Sequence, residues 1–209
     1  DAGRRHGAAF AGEPLPTLEA ALRRCLALGL WANVEIKADA GDEDACGRAV
    51  ASVVQQVWRG PPPQSSSSDT APAAAPAVPP ERPPPLLSSF ATAALAGARA
   101  VAPELPRALL VGALPRDWCA RAGRLGCVAI HSKARRTSPA AVAAVRAAGL
   151  AIACYTVDDP QEAARLFALG VAAVFTDRPD RFTPSQPDRF TKDPQDGSDS
   201  SAENPTRPR

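Results

Sequence analysis

Apolar positions recur along this chain with two periods that alternate. Leu18, Ala21, Leu22, Cys25 and Leu26 repeat at helical spacing up to Gly29, the interval that stacks side chains on one helix face. Thr17 stands at the N-cap position, and Glu19 falls in the first turn, where the helix dipole favours an acid. The stretch WANVEIK follows and predicts a strand over 32–37. In a strand Glu35 and Lys37 project from one face, Val34 and Ile36 from the other. A second helix is expected over 44–58, with Val50, Val53, Val54 and Val57 on its apolar side.

After residue 84 the alternation becomes regular. Strands are predicted over 85–90 (PLLSSF), Arg107–Val111 (RALLV), 127–131 (CVAIH), 150–157 (LAIACYTV) and 171–176 (VAAVFT). Helices are predicted over 91–101 and 118–124. Another starts after the Ser138 cap with Pro139 in first position and runs to Gly149. The last starts after Asp159, with Pro160 at N1 and Glu162 at N3, a capping-box arrangement. Six short strands alternating with amphipathic helices imply an α/β fold with a parallel sheet. Barrel and open-sheet arrangements both satisfy that pattern.

Three stretches break the periodicity. Residues 1–16 read as a loop, because Pro14 and Pro16 forbid regular pairing. Residues 59–84 are Pro, Ser and Ala without period, too poor in apolar surface to offset their ordering entropy, and read as a disordered insertion. Residues 183–209 read as a disordered tail. This leaves one folded unit over 1–182.

The composition narrows the function. The chain has 209 residues, 45% of them hydrophobic, enough for one sizeable core. Its net charge of +2, with arginines scattered, gives no reason to expect nucleic acid or a membrane surface as partner. No apolar run approaches the ~20 residues of a membrane span. The five cysteines form no CxxC pair and most sit in apolar surroundings, so buried free thiols in a reducing, cytoplasmic setting are expected. Trp31, Trp58 and Trp118 read as packing residues.

In parallel α/β folds ligands bind at the C-terminal ends of the strands. Here those ends carry Glu35 and Lys37, then Ser88, Ser89 and Phe90, then His131, then Tyr155 and Thr156, then Thr176 and Asp177. An acid beside a base at the end of an apolar strand is costly to bury unless paired or holding a ligand. Each residue also has a plainer role open to it. Glu35 and Lys37 can be an ordinary ion pair, His131 a satisfied supporting residue, Asp177 a turn cap and Tyr155 a core aromatic. The serines lack a GxSxG context.

Taken in order, AGEPLPTLEAAL, NVEIK, PLLSSF, APELPRALLV, LGCVAIH and CYTVDDPQEAARLFALGVAAVFTDRP resemble the bacterial glycerophosphodiester phosphodiesterases, the cytosolic type above all, from residue 1 to about residue 182. The resemblance implies a TIM-type (β/α) barrel and metal-dependent hydrolysis of glycerophosphodiesters to an alcohol and sn-glycerol 3-phosphate. It implies Glu35 as an acidic ligand of a divalent metal, Mg²⁺ or Ca²⁺, Lys37 as a phosphate contact, and Phe90 and Tyr155 as pocket-lining residues. The family pattern opens with His-Arg-Gly, a Glu-x-Asp strand end and a later His-Asp, none of which occurs here. The chain also lacks Met altogether. The expectation is therefore an N-terminally truncated, incomplete barrel without its first two or three strands, inactive alone, its catalytic histidines missing. Arg5 stands where relatives carry an aromatic, and Asp158 replaces the Asn of YTVN. The competing expectation is a non-catalytic barrel remnant serving as a binding or interaction module.

Overall fold

Each apolar run bounded by turn residues becomes a strand, and each amphipathic run a helix that returns over the sheet. The computed structural model describes residues 1–59 and 83–182. In order these form α1 (Leu18–Ala27), β1 (Asn33–Glu35), α2 (Glu43–Arg59), β2 (Leu86–Ser89), α3 (Thr92–Val101) and β3 (Arg107–Val111). Then come α4 (Trp118–Leu125), β4 (Cys127–Lys133), α5 (Pro139–Ala147), β5 (Ala151–Tyr155), α6 (Pro160–Ala168) and β6 (Ala173–Val174). The predicted loop over 1–16 holds two short 3₁₀ turns, Gly3–His6 and Ala8–Phe10. Nearly all of the predicted insertion, and the whole predicted tail, lie outside the described residues.

All six strands form one sheet in the order β1-β2-β3-β4-β5-β6, and every neighbouring pair is parallel. Winding that always steps the same way is the barrel pattern rather than the doubly-wound one. The sheet is also strongly curled. Phe90, just past β2, and Tyr155, ending β5, have ring centroids 6.1 Å apart. Three strand spacings of a flat sheet would separate them by about 14 Å. The six strands therefore make part of a barrel with a concave inner face.

Strand alternation sorts the residues. Outward-facing Leu109, Ile130, Ile152 and Cys154 pack with Val142, Val145 and Leu166 of the covering helices. Outward-facing Ile36 and Leu87 pack with Leu22, Val54 and Ala94. On the inner face Leu86, Ala108 and Ala129 form a small apolar layer. Two further residues along β4 and β3 bring His131 and Leu110 to the same face. α2 and α3 pack closely because Gly47 lies against the Ala94 carbonyl and Gly97 against the Asp44 carbonyl, where a Cβ would collide.

Several boundaries differ from expectation, chiefly at the sheet edges. β1 spans three residues, although the Ile36 amide still donates to the Ser88 carbonyl at 2.7 Å. β6 spans two. An edge strand has pairing on one side only, so its regular hydrogen bonding ends early. β5 stops at Tyr155 because the Val157 amide turns to the Phe175 carbonyl, whereas β4 runs on to Lys133. The Thr17, Ser138 and Asp159 caps form as predicted, accepting from the amides of Ala20, Ala141 and Gln161. The reciprocal half of the capping box does not form, because both Glu162 oxygens take hydrogen bonds from Arg165 at 2.7 Å.

The five cysteines are free thiols, but only Cys127 and Cys154 are buried, and Cys119 is exposed. Burial pushes the Cys127 thiol up to about 11 and raises that of Cys154 as well, so both stay protonated. Trp58 is buried, as expected of a packing residue, but Trp31 is 51% exposed. It overhangs an apolar hollow at the N-terminal end of the sheet, its indole N–H donating to the Pro84 carbonyl at 2.9 Å. Among the described residues no helix is long and apolar enough to cross a membrane.

Candidate active site

The concave face opens at the C-terminal strand ends into a cavity of about 330 Å³. It is lined by Asn33, Glu35, Lys37, Phe90, Leu110, His131, Tyr155, Thr156, Phe175 and Asp177. The sheet's curl brings these together, since they come from β1 through the segment after β6. A volume of this size suits a small organic ligand.

Glu35 and Lys37 form the ion pair read from the sequence, Lys37 Nζ to Glu35 Oε2 at 3.5 Å. The pair is not buried. The Lys37 side chain is 79% exposed and that of Glu35 31%. Such a pair contributes little to stability, and it stands available at the cavity mouth. The residue between them is held firmly. Ile36 is buried, and its carbonyl accepts from Ser89 Oγ at 2.8 Å, while that hydroxyl accepts from the Ala91 amide at 3.1 Å. Ser89 is thus a tie between the ends of β1 and β2, not a reactive group.

Phe90 and Tyr155 meet edge to face at 89° and wall one side. Tyr155 is only partly buried, and its hydroxyl donates to the Val111 carbonyl at 2.9 Å. Desolvation, then the nearby Glu35 charge, raises its pKa, so the phenol stays neutral. Asp177 lines the cavity instead of capping the turn. The cap is Asp158, whose Oδ1 accepts from the Thr176 hydroxyl at 2.9 Å and the Asp177 amide at 2.8 Å. Hydrogen bonds from the Asp177 amide and the Thr176 hydroxyl hold the Asp158 carboxyl below the usual range. The Asp158 that departs from the YTVN pattern therefore shapes the loop bearing Asp177.

His131 is a cavity residue rather than a satisfied supporting one. It is 2% exposed, its ring meets Phe175 with centroids 4.9 Å apart, and Nδ1 has no partner among the described residues. Burial pushes its pKa down to about 4, so the imidazole is neutral at pH 7. Sequence reasoning misses Asn33, Leu110 and Phe175. Asn33 is within its reach, because it precedes Glu35 by two residues and shares its face. The other two require knowing which strand ends the curl brings together.

A divalent metal needs several oxygen ligands. The cavity offers two carboxylates, Glu35 and Asp177. Among the described residues no three His, Cys, Asp or Glu side chains come together to hold an ion. The described residues therefore do not by themselves fit the cation that the resemblance implies.

Comparison with known proteins gives one consistent result. The glycerophosphoryl diester phosphodiesterase family matches over residues 79–181. A phosphodiesterase from Oleispira antarctica, solved with its product sn-glycerol-3-phosphate, is 30% identical, with a TM-score of 0.68 over 84% of this chain and 62% of that one. Glycerophosphodiester phosphodiesterases from Agrobacterium tumefaciens and Parabacteroides distasonis, at 22% and 20% identity, share the fold with TM-scores of 0.61 and 0.59. The match covers 87% of this chain and 67% of the first, and 81% and 63% for the second. The chain thus spans less than two thirds of the length of the Oleispira protein. No protein of curated function gives a significant match. Over residues 79–181 the chain matches the glycerophosphoryl diester phosphodiesterase family, and it shares the fold of solved phosphodiesterases of that kind.

Proposed function

We propose that the protein hydrolyses glycerophosphodiesters to an alcohol and sn-glycerol 3-phosphate, with the cavity on the concave face as its product-side pocket. The observation that carries this is the Glu35–Lys37 pair at the mouth of a cavity walled by Phe90 and Tyr155, at the C-terminal strand ends of a fold shared with solved glycerophosphodiester phosphodiesterases. Lys37 holds the phosphate and stabilises the negative charge that develops on its oxygens. Phe90 and Tyr155 flank the glycerol carbons. Glu35 would supply one carboxylate to a divalent cation, Mg²⁺ or Ca²⁺, whose other ligands the described residues do not provide and whose chemistry would be Lewis acidity.

The described residues provide binding and no acid–base pair. His6 is exposed and does not line the cavity, and the neutral, buried His131 is a weak base at pH 7. The chain by itself is therefore proposed to bind sn-glycerol 3-phosphate without turnover. The test is release of sn-glycerol 3-phosphate from glycerophosphocholine with Mg²⁺ or Ca²⁺, using this chain and the protein extended by any upstream coding sequence. Activity in the extended protein that drops at least ~100-fold in Glu35→Gln and Lys37→Ala supports the reading. An extended protein that keeps its full activity in the Glu35→Gln variant sinks it. Binding without turnover in both forms favours instead a non-catalytic module that recognises the same ligand.

A further inference from the structure

Three polar atoms on the concave face are buried without a partner among the described residues: Asn33 Oδ1 on β1, Ser88 Oγ on β2 and His131 Nδ1 on β4. Each unmet group of this kind costs about 1–3 kcal/mol, and native interiors carry few of them. Here three come from one face of one sheet, and two of them, Asn33 and His131, belong to side chains that line the cavity beside Lys37.

The cavity is graded in charge. Its exposed mouth holds Lys37, Glu35 and Asp177, while the deeper Asn33 and His131 are neutral. Nδ1, not Nε2, is the ring nitrogen of His131 that is buried and unpartnered. An unpaired acceptor costs less than an unpaired N–H, so the favoured tautomer carries its proton on Nε2. The Tyr155 hydroxyl does not compete, because it is spent on the Val111 carbonyl. A phosphate dianion is drawn to Lys37. A hydroxyl, which donates and accepts at once, matches a neutral amide and a neutral imidazole.

We propose that Asn33 and His131 form a hydroxyl-reading floor, binding the alcohol groups of a polyol phosphate whose phosphate Lys37 holds. This rests on the reading that the cavity takes glycerol phosphates and adds what selects the polyol. Both are positioning residues, and neither takes part in bond making.

The test is an NMR titration of the full chain with sn-glycerol 3-phosphate and with n-propyl phosphate, which keeps the carbons and phosphate and lacks both hydroxyls. The wild type is expected to prefer the glycerol ester by at least about tenfold, since a site built around a hydroxyl rejects its deoxy analogue. His131→Phe, which keeps a ring against Phe175, and Asn33→Leu should each bring the two esters within about threefold by weakening the glycerol ester alone. His131→Gln should restore part of the preference. Lys37→Ala should weaken both esters together. An unchanged preference in folded His131→Phe and Asn33→Leu overturns the proposal, as does a wild type without preference, since the floor then holds water only. If His131→Phe loses its dispersed amide spectrum, Asn33→Leu decides alone. A wild type that binds neither ester overturns the glycerol phosphate reading itself, a different result from binding without selectivity.

Discussion

His131 joins a buried inner face to a titratable ring, and its protonation state follows from burial alone. An exposed histidine in the unfolded chain titrates near 6.5, whereas the folded one is pushed down to about 4. Between those values the unfolded state holds a proton that the folded state does not, so stability falls as pH drops through that window and levels off below it. The loss from this one group is roughly 3 kcal/mol. Urea unfolding at pH 7 and pH 4.5 should show it, with His131→Phe losing visibly less than wild type. Equal losses would show that the ring reaches water. Arg107 is the second residue whose surroundings decide its role. Its buried guanidinium donates to the carbonyls of Ala102, Pro103, Leu105, Leu125 and Gly126, stitching the loop before β3 to the end of α4. Lysine has a single ammonium and cannot span both loops. Arg107→Lys is expected to cost roughly 2–4 kcal/mol in chemical denaturation, and a loss under about 0.5 kcal/mol would refute the stitching role. Glu35 and Lys37 were legible because their spacing fixes a shared face. Arg107 was not. It reads as the polar first residue of an apolar run, and its partners are main-chain oxygens that the sequence does not mark.

At the scale of elements, glycines in helices have opposite roles. Gly47 and Gly97 let α2 and α3 touch through their backbones, whereas Gly123 in α4 is exposed and has nothing near it. Gly47→Ala should therefore cost about 1–3 kcal/mol, because the Ala94 carbonyl must move. Gly123→Ala should gain about 0.5–1 kcal/mol, since alanine loses less entropy in a helix. Thermal melts of the two variants should shift in opposite directions, and a stabilising Gly47→Ala would show that the helices have slack. Helix starts were readable from the sequence, since Thr17, Ser138 and Asp159 cap through their own side chains over two or three residues. Strand ends were not, because a strand continues only while its neighbour does, and β1 and β6 each have one neighbour among the described residues.

Across the whole molecule, the alternation of strands and helices implied the parallel sheet, and the sequential order realises it. The curl lay beyond composition and periodicity, which suit barrel and open sheet alike. It depends on distances between residues such as Phe90 and Tyr155 that no local pattern encodes. Two edges, each with one neighbour among the described residues, offer main-chain groups for strand pairing. The exposed Trp31 and Val128 add apolar surface at the sheet's N-terminal end. The chain is therefore expected to self-associate, its mass by light scattering rising between about 5 and 200 µM. A constant monomer mass over that range would mean the edges are protected.

Tyr155 is the chain's sole tyrosine. Its ring meets Phe90 edge to face and lines the cavity, with the hydroxyl fixed on Val111. Carbon-13 labelling of tyrosine alone would thus place one isotopic beacon in the pocket against a silent background. Ligand arrival, ring-flip rate and edge-to-face geometry would all be read from a single resonance set, without engineering the protein.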